Sequence, residues 1–115
     1  MPREIYLVST EPMTMVTLVE AAAAVDGQLV PRVLFDGAAV QLVDTTDTAV
    51  ITVELSRRIE DPCQLELLVG RLPVNGAVWW TEATAPWDAA GEVGVRIARE
   101  LAERLGAEVT VEEGR

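Results

Sequence analysis

Histidine and lysine are both absent from this sequence, and its nine basic residues are all arginine. Without histidine there is no Ser-His-Asp or Cys-His nucleophile, no imidazole general base, and most zinc sites are closed off. Without lysine there is no Schiff base and no Walker-type phosphate loop, whose lysine is obligatory. The single cysteine, Cys63, excludes an intrachain disulfide. It has no histidine to activate it and reads as a small buried apolar residue. Only Tyr6, Phe35, Trp79, Trp80 and Trp87 are aromatic. No apolar run is long enough to cross a bilayer. The longest, around residues 16–25, is broken by Glu20 and falls well short of the roughly 20 residues required.

What the chain has in excess is acid: 19 aspartates and glutamates against nine arginines, a net charge of −10 over 115 residues. Such a chain lacks the positive field that holds nucleic acid or an anionic membrane, so neither is an expected partner. It is also 50% hydrophobic, which argues against disorder despite the charge. Its length suits one domain over residues 1–115, with a single self-sufficient core. The opening Met-Pro-Arg-Glu lacks the basic and apolar segments of a secretory signal, so a cytoplasmic location is expected. Arginine-only, alanine- and valine-rich usage suggests a GC-rich bacterial genome.

The pattern of elements reads β-α-β-β-β-β-β-α-β. A first strand fits residues 4–8. Ser9 or Thr10 can then cap a helix, with Pro12 in its first turn, that runs to Val25 and stops at Gly27. This helix is apolar nearly all round, which predicts cover on more than one side. Strands follow at residues 28–35, 39–43 and 48–55. The first of these contains Pro31 and is expected at an edge, and Asp36-Gly37 turns it into the second. Residues 56–62 read as a charged loop, residues 64–69 as a strand, residues 73–76 as a turn, and residues 77–83 as a further strand.

The second helix, opened by Thr84 or Asp88 and closed by Gly106, carries the clearest apolar stripe: Val93, Ile97, Leu101 and Leu105. Its opposite side offers four Glu/Arg pairs at a spacing of four, and residues 108–112 form a last strand. Five successive strands between two helices predict the α+β class. The expected architecture is one mostly antiparallel sheet of six to seven strands, with both helices packed on one face.

Candidate functional residues are few. Trp79 and Trp80 must point to opposite faces of their strand. Trp79 is expected on the inner face and Trp80 on the outer. Packing and edge shielding explain all three tryptophans. The competing reading makes Trp80 an exposed interface anchor, with Trp87 joining it or stapling the helix entrance. Besides Trp80, the outer sheet face would mix some of Val30, Leu34, Val43, Val50 and Leu68 with Arg32, Gln41, Thr52 and Glu54, a composition suited to a second subunit. Arg57-Arg58, the only adjacent basic pair, has the geometry of a carboxylate or anion clamp, though charge balance in a loop explains it as well. Asp44 and Asp47 are explained by a turn between strands, and no catalytic, metal or cofactor constellation emerges.

The expected function is therefore a non-enzymatic protein-binding or assembly module, homodimeric in its simplest form. In physical type it is like the small acidic proteins that neutralise toxins or chaperone other proteins. The competing class is a ligand-binding protein or enzyme that uses carboxylates and arginines in a pocket beside the sheet.

Overall fold

The computed structural model describes residues 2–59 and 78–113. The strand expected at residues 64–69, the turn at residues 73–76 and Cys63 lie outside them. The described elements are β1 (Arg3–Ser9), α1 (Met15–Val25), β2 (Val30–Leu34), β3 (Ala39–Val43), β4 (Ala49–Glu54), β5 (Arg57–Ile59), β6 (Val78–Ala85), α2 (Ala89–Leu105) and β7 (Glu108–Val111). The strands form one seven-stranded sheet ordered β2-β3-β4-β6-β1-β7, with β5 also paired to β6. Every pairing is antiparallel. Both helices pack on one face, so the expected α+β architecture is the observed one. Among the described residues no helix is long and apolar enough to cross a membrane.

Helix α2 forms as its sequence dictates. The Asp88 side chain caps it, accepting from the backbone N–H groups of Ala90 and Gly91. Gly106 ends it at φ +61, where the N–H groups of Gly106 and Ala107 return to the carbonyls of Glu103 and Ala102. Its buried stripe is Val95, Ile97, Ala98, Leu101, Ala102 and Leu105, rather than Val93, which is only half-buried. Of the four side-chain pairs expected along the exposed face, the structure forms Glu100–Arg104, at 3.3 Å. Magnitudes explain why this costs little. One such pair contributes about 0.2–0.5 kcal/mol, whereas burying a single leucine or isoleucine contributes about 1.5–3 kcal/mol.

Helix α1 begins later than expected. Strand β1 runs through Ser9, whose buried hydroxyl donates to the Glu11 carbonyl, so the chain turns before the helix starts. Thr14 is the actual cap, accepting from the Thr17 N–H. The Met13 N–H donates to Ser56 Oγ, which also bonds the buried Thr81 hydroxyl at 2.6 Å and ties the helix entrance to the sheet. The helix stops at Asp26, and Gly27 does not use the left-handed conformation expected of it.

The β2–β3 hairpin forms where expected, but with a wider turn. Phe35, Asp36 and Gly37 all take positive φ between the paired residues Leu34 and Ala39. The expected loop at residues 56–62 is corrected in part, because Arg57–Ile59 is strand β5 on β6.

The core lies between the helices and one sheet face, and includes Ile5, Leu7, Leu18, Leu42, Ile51, Val53, Ile97 and Leu101. Val50, expected on the outer face, joins this core because the register slips between Leu42 and Val43. The tightest point is Gly94 of α2. A Cβ there would sit 2.0 Å from the Val50 carbonyl oxygen, inside any permissible contact. Gly94→Ala gains about 1 kcal/mol of helix propensity but must push the helix off β4, so we expect a net loss of roughly 2 kcal/mol. A thermal unfolding midpoint equal to or above that of the wild type would show that α2 does not rest on β4 there.

Candidate interaction surface

Strand register sets the sheet's outer face. β1 contributes Glu4, Tyr6 and Val8, opposite Thr84, Glu82 and Trp80 of β6. On the far side β7 places Thr110 beside Tyr6 and Glu108 beside Val8. Trp80 therefore lies on the outer face, and Trp79 shares the helix side with Ser9, as the alternation requires. Of the two readings of Trp80, the exposed interface anchor is overturned and packing is the one observed. Trp80 is only 2% exposed, packed with Val78 against Tyr6, Val8 and Ile59. The Tyr6 ring stacks on it at 5.0 Å, and its indole N–H donates to Glu82 Oε1 at 3.0 Å. Trp80 is thus the centre of a second small core on the outer face, where neighbouring aromatic and aliphatic side chains withdraw it from solvent.

The same register corrects the arginine clamp. Arg57 and Arg58 are consecutive in β5, opposite Trp80 and Trp79 respectively, so their side chains leave on opposite faces. Arg57 joins the Trp80 cluster, its guanidinium 3.1 Å from Glu82 Oε1. Arg32, on edge strand β2, pairs with Asp47 in the next turn. Trp87 sits at the other end of β6 from Trp80 and does not join it. The Arg3 guanidinium lies 4.6 Å above its ring and also pairs with Glu92, clamping the start of β1 to the start of α2. Trp87 is the staple, at 41% exposure.

The outer face is polar and acidic rather than apolar. Glu4, Glu82 and Glu108 share it with Glu54, whose neighbour Val53 pairs with Ala83 in β6. Desolvation, followed by the nearby Glu82 carboxylate, holds Glu54 above its usual carboxylate range. The Tyr6 hydroxyl donates to Glu4 Oε2 at 2.7 Å. This bond, together with burial and the surrounding glutamates, pushes the phenol up to about 12. In the turn after β3, the Asp44 carboxylate accepts from the Thr48 N–H and from the Thr46 hydroxyl and N–H, which lowers its pKa. Its donors are those of a turn. Among the described residues no group of three or more Cys, Asp or Glu side chains is placed to hold a metal ion.

Shallow grooves run elsewhere. One of about 390 Å³ lies beside Trp87, between Pro2, Ala49, Thr84 and Pro86. Two more, of about 420 and 410 Å³, flank Arg96 and Arg99 where α2 meets β7. None of them brings together Trp80, Arg57, Arg58 or Arg32.

Large apolar side chains are exposed in a different place. Met15, Val16, Val19, Val30, Val33 and Phe35 are all exposed, and all belong to the chain from α1 to the end of β2 and its turn. Helix α1 buries Leu18, Ala21 and Ala22 and turns Val16, Val19 and Ala23 outward, so among the described residues it is covered on one side only. Glu20 is the single charge on that outer half. Phe35, at φ +51 and 78% exposed, projects from the hairpin tip. The sequence signal was present, since a helix apolar all round needs a second cover. The sequence could not show that the described fold supplies only one.

Comparison with known protein families, with curated proteins and with solved structures finds no match to this chain.

Two measurements test this geometry. Trp80→Ala should cost about 3–5 kcal/mol of unfolding free energy, as a buried aromatic truncation does. A loss within 1 kcal/mol would return Trp80 to the surface. Tyr6 is the only tyrosine, so its absorbance titration is unambiguous, with an expected midpoint near 12 that Glu4→Gln moves back toward 10. Because the folded phenol holds its proton more tightly, this stabilisation is complete below pH 10 and is lost as the pH rises to about 12.

Proposed function

We propose that this chain is a non-enzymatic protein-binding or assembly module, and that it associates through the outer half of α1 and the edge strand β2. The observation that carries the reading is the concentration of exposed large apolar side chains at Met15, Val16, Val19, Val30, Val33 and Phe35. Scattered single exposures are ordinary on a folded surface, whereas six within the one stretch of chain from α1 to the hairpin tip favour an association region there. β2 adds an open sheet edge, which invites pairing unless it is blunted. Pro31 blunts it in part, since proline supplies no ladder donor. Side-chain burial is therefore the larger contribution at this face.

The net charge of −10 keeps the chain soluble and screens it from acidic neighbours. It does not choose the partner, because the proposed face holds little charge. A pocket enzyme is the weaker reading, since the grooves are shallow and the carboxylates of the outer face are engaged with Tyr6, Trp80 and Arg57.

Val16→Ser with Val19→Ser tests the proposal. Both side chains are exposed, so the double variant should unfold within about 1 kcal/mol of the wild type. It should lose self-association in analytical ultracentrifugation, or lose the partner that the wild type retains from a native cell extract. If wild type and variant associate alike, α1 is not the binding face.

A further inference from the structure

We infer that Glu54 and Glu82 are a proton-sharing pair across the seam between β4 and β6, which draws the seam together on mild acidification and loads it with like charge at neutral pH. The device lies on the outer sheet face and is independent of the association reading.

Register comes first. Strand β4 pairs with β6 through Thr52–Thr84 and Val53–Ala83, and one residue further the same register sets Glu54 opposite Glu82. Side chains directly opposite in an antiparallel pair have Cβ atoms about 4.5–5.5 Å apart. Pairing with β6 resumes in β5, at Arg57–Trp80. From Val53 to Arg57 the chain takes one step more than β6 takes from Ala83 to Trp80, so Leu55 and Ser56 form a bulge opposite Thr81. In an unbroken strand Glu54 and Arg57 would leave on opposite faces. The bulge turns both onto the outer face, beside Glu82.

Bonds on either side hold this arrangement. The Leu55 N–H donates to the Ala38 carbonyl at 3.0 Å, while Ser56 Oγ bonds the Thr81 hydroxyl and accepts from the Met13 N–H. Glu82 is fixed as well, its Oε1 accepting from the Trp80 indole N–H at 3.0 Å and from Arg57 at 3.1 Å. Strand β3 brings no charge to the pair, because Ala39 lies opposite Glu54 and residues 39–43 are uncharged. On the β1 side Tyr6 lies opposite Glu82, bonded to Glu4 and keeping its proton to about pH 12. Among the described residues that face the pair, Arg57 supplies the positive charge.

Two ionised carboxylates in this position oppose each other. Like charges directly opposite across a sheet are destabilising, and a carboxyl group beside a carboxylate keeps its proton longer. With the proton on Glu54, its hydroxyl donates to Glu82 and adds a bond between β4 and β6. Without it, the two carboxylates repel and compete for Arg57. Desolvation, then the Glu82 carboxylate and the bond to it, hold Glu54 above its usual range, and Arg57 opposes them. A group raised in the folded state contributes stability that is complete below its unfolded value and is lost as the pH rises through the folded one. Asp44 has the reverse sign, since its turn bonds lower it, and its contribution is lost only as the pH falls further.

The test compares the full-length wild type with Glu54→Gln in thermal unfolding at about pH 7.5 and about pH 4.5. Glutamine keeps the shape of the protonated acid and cannot ionise. The variant should unfold about 1–4 °C above the wild type at the higher pH and lose most of that advantage at the lower one. Any other pattern, including an equal difference at both values, overturns the inference. A second measurement separates the pair from burial alone. Followed by NMR through an acid titration, the Glu54 carboxyl should have its midpoint above the ordinary carboxylate range. Glu82→Gln should move that midpoint down, and Arg57→Gln should move it up, with circular dichroism checking that each variant is folded. If folded Glu82→Gln leaves the midpoint in place, burial alone holds the proton and the inference fails. If Glu82→Gln does not fold, Arg57→Gln decides, and the absence of an upward shift overturns the inference.

Discussion

The contact on which the rest of this structure depends is the approach of α2 to β4 at Gly94. A hydrogen in place of a side chain lets the helix backbone settle against the Val50 carbonyl, where even a methyl group would be 2.0 Å away. Gly91 repeats the device one turn earlier against Pro86, whose carbonyl oxygen would lie 1.5 Å from an added Cβ. With α2 held this low, Ile97 and Leu101 reach the sheet and are fully buried. The helix then occupies the middle of the layer, over β4, β6, β1 and β7. Helix α1 packs beside α2 and shares the core through Leu18, Ala21 and Ala22, while Val16 and Val19 stay exposed.

The two faces of the sheet are stabilised differently. The helix side is an ordinary apolar core. The outer side is a polar surface with one aromatic pair set into it, Tyr6 on Trp80, framed by Glu4, Glu82 and Arg57. Burying an indole on a face with no helix layer works because its ring is covered by Tyr6, Val8, Ile59 and Val78 while its N–H reaches a carboxylate. The same carboxylates keep the face wet elsewhere, which moves the apolar surface available for association to α1 and β2.

How much of this could be read from residues alone depended on whether the signal was local. The stripe and caps of α2 were legible because Asp88, Gly106 and the 3.6-residue period act within one turn of the chain. The face assignments of Trp79 and Trp80 were legible because alternation in a strand is strict. The exposure of Trp80 was not, because it depends on Tyr6, more than seventy positions away in sequence and brought alongside by the β1–β6 register. The clamp at Arg57 and Arg58 failed for a related reason. Once those residues became a strand, alternation drove the two side chains apart. The start of α1 was misplaced because Ser9, a good cap by type, was already committed to β1 and buried there.

The sequence by itself determined the class of the fold, the position of α2, the antiparallel sheet, and the exclusion of histidine- and lysine-dependent chemistry, since composition and short-range period need no distant partner. It also determined that α1 carries more apolar surface than one neighbour can cover. Only the tertiary structure decided which neighbour that was and which tryptophan was withdrawn from solvent. Those outcomes are set by contacts between residues far apart in the chain, where packing of one element fixes the space and the charges left to the next.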